Sequence, residues 1–400
     1  MINYDRSKVE IGFLHFGLGG FHRAHQAFFI DKAIENGNLD LGIASISQRD
    51  PSLADEMKNA NSIYEVDASD GVHSERRMIG SIKESLFYSR DEERIYEIAR
   101  SPKLKAITLT VTEKAYNADS EFIQRLVKVL RERYESGGGS IAVISCDNMP
   151  SNGDFVKNLI KKVVGDQELW GWIDSNIRFP NCMVDRIVPA PSKDNRLLVR
   201  TELFNQWIIE KDPISKYLES AGVQFVDSVK PYELAKIRLF NGIHSYLAYY
   251  GELNRIDFIA DIITIPKIRN FVKELQENEI CKTLNLDIDL FKYSQEIRER
   301  MSNPTLHHKA SQIAMDGSQK MPQRMIGVLN DLAKIGIPAP RMVEAFATWI
   351  KYLAISNSIN DPLSEKLKPL ALAKDLRSIS TLLSTPFNSI YDSQLLEHLN

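Results

Sequence analysis

Cysteine is scarce in this chain of 400 residues: Cys146, Cys182 and Cys281 are the only three. Three thiols suit neither a disulfide framework nor a closed zinc site, and they point to a reducing compartment. Long apolar runs are missing too. The best candidate for a membrane span, residues 343–356, is broken by Glu344 and Lys351. The N-terminus shows no basic, apolar and cleavable succession, so a cytoplasmic location is expected. Nor is there an excess of one charge. Fifty basic side chains against fifty-three acidic ones leave a formal −3, which offers no bulk attraction for nucleic acid or anionic membranes. Arg76 and Arg77 form a basic pair, but no stripe with interleaved aromatics extends it. No repeat or low-complexity tract is found. With 43% hydrophobic and 26% charged residues, what remains is an ordinary globular chain with length for two domains.

Strand-like stretches at 9–16, 42–47, 106–111 and 140–145 alternate with helix-like ones at 24–36, 92–99 and 121–134. That is the pattern of a parallel sheet covered by helices. Residues 75–89 interrupt the alternation and are expected to add an antiparallel element. Gly137, Gly138 and Gly139 precede a strand and read as a turn, not a phosphate cradle. A helix and a short strand lie within 170–191, and Pro189 and Pro191 mark a domain edge. From 192 onward the helical period dominates. The expected domains are therefore 1–191 and 192–400.

The first strand runs into FLHFGLGGFHRAHQAFF, with Gly17, Gly19 and Gly20 where strand hands over to helix. Glycine there permits a tight turn and lets backbone N–H groups approach a pyrophosphate. The third glycine of the dinucleotide fingerprint is replaced by His22, so a plain strand–helix turn is the competing reading. His22 and His25 have helical spacing but no third ligand, and no metal is expected. Arg23 is the more natural phosphate partner. At the end of the second strand Arg49 and Asp50 stand side by side. An acid there favours NAD and an arginine accommodates NADP, so both cofactors remain open.

The stretch PYELAKIRLFNGIHSYLAYYGEL concentrates chemistry. On an α-helix at about 100° per residue, with Lys236 at zero, Glu233 falls at about 60°, His244 at about 80° and Asn241 at about 140°. These four share an arc with Ile237, Phe240, Leu247 and Ala248. A buried ammonium, amide and imidazole need partners, and a polyhydroxylated substrate would supply them. A self-satisfied core network is the alternative. Desolvation lowers a lysine pKa towards neutrality, which suits a general base.

Taken together, GLGGFHRAHQ, TVTEKAY, SCDNMPSNG, FPNCMVDRIVP, KIRLFNGIHS and NPTLHHKASQIAMDGSQKMPQR, in that order from Gly17 to Arg324, resemble one family. It is that of the long-chain, metal-independent polyol and hexuronate dehydrogenases, which includes mannitol 2-dehydrogenase and fructuronate reductase. The resemblance implies an α/β Rossmann-type nucleotide-binding domain and a predominantly α-helical substrate-binding domain. It also implies an NAD(P)-dependent oxidoreductase with no metal, as a monomer or small homo-oligomer. Lys236 would be the acid/base, Asn148 and Asn241 would polarise the reacting oxygen, and His244 would orient the substrate. Asp185 would face substrate or pair with Arg186. Glu113 and Glu233 are similar to carboxylates that the family places along a proton path. Gly17, Gly19, Gly20, Phe21, Arg23, Arg49 and Asp50 would serve the cofactor. Two departures stand out: Ala115 replaces the glycine of TEKGY, and Asn117 stands where a cysteine is usual. The segment after TEKAY and the C-terminal region are also shorter than usual, which bears on the rim of the active site.

The segment QIAMDGSQKMPQR is more similar to the hexuronate reductases, since mannitol enzymes tend to carry an arginine where Gln312 stands. A hexuronate brings a carboxylate that needs a cation or several donors. Candidates are Arg298, His308, Lys309, Lys320 and Arg324, with Lys320 and Arg324 on one face if helical. The expected reaction is ketohexuronate to aldonate, of the D-fructuronate to D-mannonate type. Mannitol to fructose is the alternative, and an inactive dinucleotide-binding sensor a remote one.

Overall fold

The computed structural model describes residues 1–112, 115–190 and 194–400. The chain divides into two units, Met1–Lys230 and Pro231–Asn400. Strands of the first are β1 (Ile11–Phe16), β2 (Gly42–Ser47), β3 (Tyr64–Ser69), β4 (Ser74–Ile79), β5 (Ile82–Phe87), β6 (Ala106–Leu109), β7 (Ile141–Ser145), β8 (Ile177–Arg178), β9 (Cys182–Asp185), β10 (Leu198–Thr201), β11 (Gln206–Glu210) and β12 (Gln224–Val226).

Six of them form a parallel sheet in the order β5-β2-β1-β6-β7-β8. This is the doubly wound nucleotide-binding order, with its switch point between β1 and β6. Side chains of β1 alternate between two cores. Phe13 packs in the same cluster as Ile30 and Ile34 of helix Gln26–Glu35, while Leu14 and Phe16 join Leu126 and Leu130 of helix Glu121–Glu135. Burial on both faces explains why these strands read as continuous apolar runs.

The expected antiparallel element at 75–89 proves to be two different things. β4 pairs antiparallel with β3, but β5 is the parallel edge strand beside β2. The expected helix at 24–36 is also divided. A short helix Gly20–Ala24 ends at His25 (φ −119°, ψ −85°), and Gln26–Glu35 follows.

The domain division moves. The expected edge at Pro191 and residue 192 lies outside the described residues, but the chain beyond it belongs to the first unit. β10 adds to β3 in parallel, and β11 pairs with β9 and β12. These short strands make long-range ladders that periodicity does not register. The stretch 198–226, expected within a mainly helical domain, therefore carries strands.

From Pro231 the second unit is helical. Helix Ile243–Asn254 packs on helix Pro340–Ile355, which buries Val343, Phe346, Trp349, Ile350 and Leu353. The apolar stretch at 343–356 is thus a core helix, and no helix among the described residues is long and apolar enough to cross a membrane. Three π turns interrupt the α-helices: Lys236–Gly242, Leu275–Glu279 and Pro322–Ile326.

Candidate active site

In the first unit a cavity of about 590 Å³ opens at the carboxyl ends of β1, β2 and β6, where doubly wound folds bind nucleotides. Gly17, Leu18 and Gly19 line it from β1, Ser47–Asp50 from β2 and Thr110–Thr112 from β6. Gly17 has φ +130°, and a Cβ there would lie 2.4 Å from Thr110 Oγ1 and 2.6 Å from its carbonyl oxygen. No L side chain suits both that dihedral and that space. At Gly19 a Cβ would meet nothing within 4 Å, so the loop presents bare backbone. These residues fit a dinucleotide. Arg49 and Asp50 both line the cavity, and Ser52 holds the Asp50 carboxyl below the usual carboxylate range through its hydroxyl and its amide.

Three of the loop residues expected to serve the cofactor do not line the cavity. Gly20 opens the short helix beside Val188 and Val199. Phe21 packs on the apolar core and stacks on His25 at 5.0 Å. Arg23 is fully buried, donates to the Arg196 carbonyl at 2.6 Å and lies over the Tyr64 ring. The loop turns Arg23 inward, and the cavity draws its cations from Arg49, Arg125 and Arg196 instead. Arg196 comes from far along the chain, so no local pattern marks it.

His22 stands in the place of the third glycine. Its ring stacks on His15 with centroids 3.4 Å apart, and Nε2 meets Ser45 Oγ of β2 at 2.8 Å. His15 bonds Thr108 and Thr110. The pair thus ties β1, β2 and β6 together beneath the glycine loop. Burial, and then the neighbouring cation of Arg23, pushes the His22 pKa down to about 3, and burial holds His15 well below its usual value. A histidine with a lowered folded pKa binds fewer protons folded than unfolded, so its contribution to stability is lost as pH falls below about 6.5. In His22→Phe, which keeps a flat ring, the slope of unfolding free energy against pH between about 4 and 6 should flatten by up to about 1.4 kcal/mol per pH unit. Urea melts across that range measure it, and an unchanged slope would mean that His22 is already protonated in the fold.

Asp147 was not singled out in the sequence, yet it links two motifs. Its carboxylate accepts from the Val111 and Thr112 amides at 2.9 and 3.1 Å and from the Tyr116 hydroxyl at 2.7 Å. Burial raises its pKa against these bonds. TEKAY and SCDN are therefore one assembly, with Asn148 exposed just beyond β7. Glu113 lies outside the described residues. Asp185 ends β9 and is buried, while Arg186 gives its guanidinium to the Ala24 and Glu202 carbonyls.

In the second unit Lys236, Asn241 and His244 lie on one continuous helical segment, Lys236 and His244 nearly inaccessible at 7% and 6% exposure. The segment is not the regular α-helix expected. Lys236–Gly242 is a π turn, in which an i→i+5 ladder advances only about 80–90° per residue. On that spacing Lys236 and Asn241, five apart, close from about 140° to roughly 40–90°. Glu233 precedes them in helix Lys230–Ala235.

His244 is kept neutral by burial, then by the charges of His308, Arg324, Arg300 and Lys320. His308 lies 5.2 Å away, ring to ring, and Arg300 covers the Phe240 ring that abuts His244. His244 Nε2 is buried and has no hydrogen-bond partner among the described residues. Arg300 escaped the sequence reading, because only the fold brings it to this helix. Of the expected carboxylate partners, Arg298 is spent on Gln276 and Glu277. Lys320 donates to the Ile313 and Met315 carbonyls, and Arg324 to the Asn241 carbonyl and Ser245. Lys320 stands in the helix Gly317–Met321, and Arg324 in the π turn Pro322–Ile326 that follows it directly.

Residues 11–219 match the family described as "Mannitol dehydrogenase Rossmann domain", and residues 228–398 match "Mannitol dehydrogenase C-terminal domain". The uncharacterized oxidoreductase YeiQ of Escherichia coli (strain K12) is 34% identical over 95% of this chain and 88% of its own length. The D-mannonate oxidoreductase of the same organism is 33% identical over 88% and 81%. Among solved structures, Pseudomonas fluorescens mannitol 2-dehydrogenase, in ternary complex with NAD and D-mannitol, superposes with a TM-score of 0.80. It is 27% identical and is matched over 100% of this chain and 95% of that one. With both units matched in order, the chain belongs to the mannitol dehydrogenase family of oxidoreductases.

Proposed function

We propose that this protein is a nicotinamide-dependent oxidoreductase that interconverts a ketohexuronate and an aldonate, of the D-fructuronate to D-mannonate type. The observation that carries the reading is the charge around His244. Arg300, Arg324 and Lys320 all act on it as cations, a surround suited to a substrate that brings its own carboxylate. Identity with a D-mannonate oxidoreductase supports the same substrate class.

The cavity of the first unit would hold NAD or NADP through Gly17, Gly19, Arg49 and Asp50, and the relative bound to NAD favours the former. Bound there, the cofactor supplies the hydride for ketone reduction. Lys236 gives a proton to the oxygen being reduced, and takes it back in oxidation. The Asn241 amide donates to that oxygen as charge develops, a stabilisation that strengthens in a dry site. Asn148 is assigned the same work and Asp185 the positioning of substrate. Neutral His244 offers Nε2 to a substrate hydroxyl, and Glu233 is a carboxylate on the proton's path to water.

A second reading, D-mannitol to D-fructose, is favoured by one observation: Lys320 and Arg324 already donate to protein acceptors. NADH oxidation with fructuronate, tagaturonate and fructose, assayed side by side, separates the two. We expect kcat/KM for a uronate to exceed that for fructose by at least about 100-fold, the worth of a charge-assisted pair in a buried site. A preference for fructose would replace the first reading by the second.

A further inference from the structure

A π turn pairs its carbonyls with amides five residues on instead of four, and a carbonyl, with two lone pairs, can accept from a side chain as well. In the turn Lys236–Gly242 two carbonyls accept from side chains of the other π turns. Gln276 of Leu275–Glu279, fully buried, donates from Nε2 to the Leu239 carbonyl at 3.1 Å. Arg324 of Pro322–Ile326 donates from one terminal nitrogen to the Asn241 carbonyl at 3.2 Å and to Ser245 Oγ at 2.8 Å. Behind Gln276, Arg298 holds its Oε1 at 2.8 Å and pairs with Glu277 at 2.9 Å. That bond assigns the orientation of the amide, with its N–H towards Leu239. Gly242 lets the turns meet, since a Cβ there would lie 3.1 Å from the Arg324 carbonyl oxygen.

We infer that Gln276 and Arg324 are positioning residues that clamp the π turn Lys236–Gly242 and so set the spacing of Lys236 from Asn241. The inference rests on the reading that Lys236 and Asn241 act on the reacting oxygen. It changes the role of two cations that the sequence offered to a substrate carboxylate. Arg298 orients Gln276, and Arg324 holds the backbone of Asn241. Neither Gln276 nor Arg298 needs to touch substrate. If the turn relaxed to α geometry, Lys236 and Asn241 would diverge by roughly 50–100°.

Gln276→Glu keeps the volume and the Arg298 contact but removes the donor to Leu239; Arg324→Gln shortens the side chain and withdraws the nitrogen that donates to Asn241 and Ser245. For each folded variant kcat should fall about 10- to 100-fold, the cost of misplacing a catalytic group by about 1 Å. KM for NADH should stay at the wild-type value, and the loss in kcat should be alike for every ketose the wild type reduces. Arg324→Lys, which keeps a single donor, should recover part of it. Wild-type kcat in both folded variants, or a loss in Arg324→Gln confined to KM for acidic substrates, would overturn the clamp. Native-state hydrogen exchange judges it independently of any substrate. Amides of residues 236–245 should exchange about tenfold faster or more in both variants, with the helix at 340–355 unchanged. Unaltered exchange across 236–245 overturns the inference, whereas a wild type inactive on all ketoses overturns only the functional reading.

Discussion

Lys236→Ala is expected to abolish turnover while leaving NADH binding intact. The loss should reach about 10²–10⁴-fold in kcat, the usual contribution of a positioned acid/base. Lys236 is 7% exposed and sits in the second unit, whereas the dinucleotide cavity is lined entirely by residues of the first. Nothing that the alanine removes belongs to that cavity. Fluorescence titration with NADH should therefore give the wild-type Kd alongside a dead enzyme. Full turnover would remove Lys236 from the chemistry, and loss of both binding and turnover would mark it as structural.

Gly17→Ala should have the opposite signature. The new methyl would be forced into φ +130° and to within 2.6 Å of two oxygens of Thr110, one of them backbone. Left-handed strain costs about 1–3 kcal/mol and overpacking a further 1–3 kcal/mol, so a destabilisation of about 2–5 kcal/mol is expected if both are met in full. Thr110 bonds His15, so the displacement would travel into the histidine pair as well as the loop. NADH affinity should fall by at least about tenfold, and the melting temperature should drop. An alanine variant with wild-type affinity and stability would show that the loop has another conformation to adopt, and with it that the cradle is not specified by Gly17.

Local features were legible in the residues. β2 falls on its expected stretch, and β1, β6 and β7 differ only at their ends, because strands buried on both faces read as unbroken apolar runs. Gly17 and Gly19, which line the cavity, could be singled out because a strand, a glycine turn and a helix follow each other directly. For Arg23 the same local pattern does not say which way the side chain turns. It went into the core, and Arg196 came to the cavity from another part of the sequence.

The same division runs through the second unit. The sequence by itself determined which groups the helix carries: Lys236, Asn241 and His244, at intervals that suit one segment and with apolar neighbours that bury them. Their relative directions were decided only by tertiary structure. An α period of 100° placed Lys236 and Asn241 at opposite ends of a shared arc, about 140° apart, and the π turn that narrows it has no periodic signature. Two of its carbonyls accept from Gln276 and Arg324, which lie about 40 and 80 residues away along the chain. The domain edge moved for the same reason, since β10 and β11 owe their place to pairing with β3 and β9. Periodicity reports what a segment does with its own neighbours in the chain. A π turn, a short paired strand and the direction of a buried guanidinium depend on partners that are distant in sequence, and those partners meet only once the chain has folded.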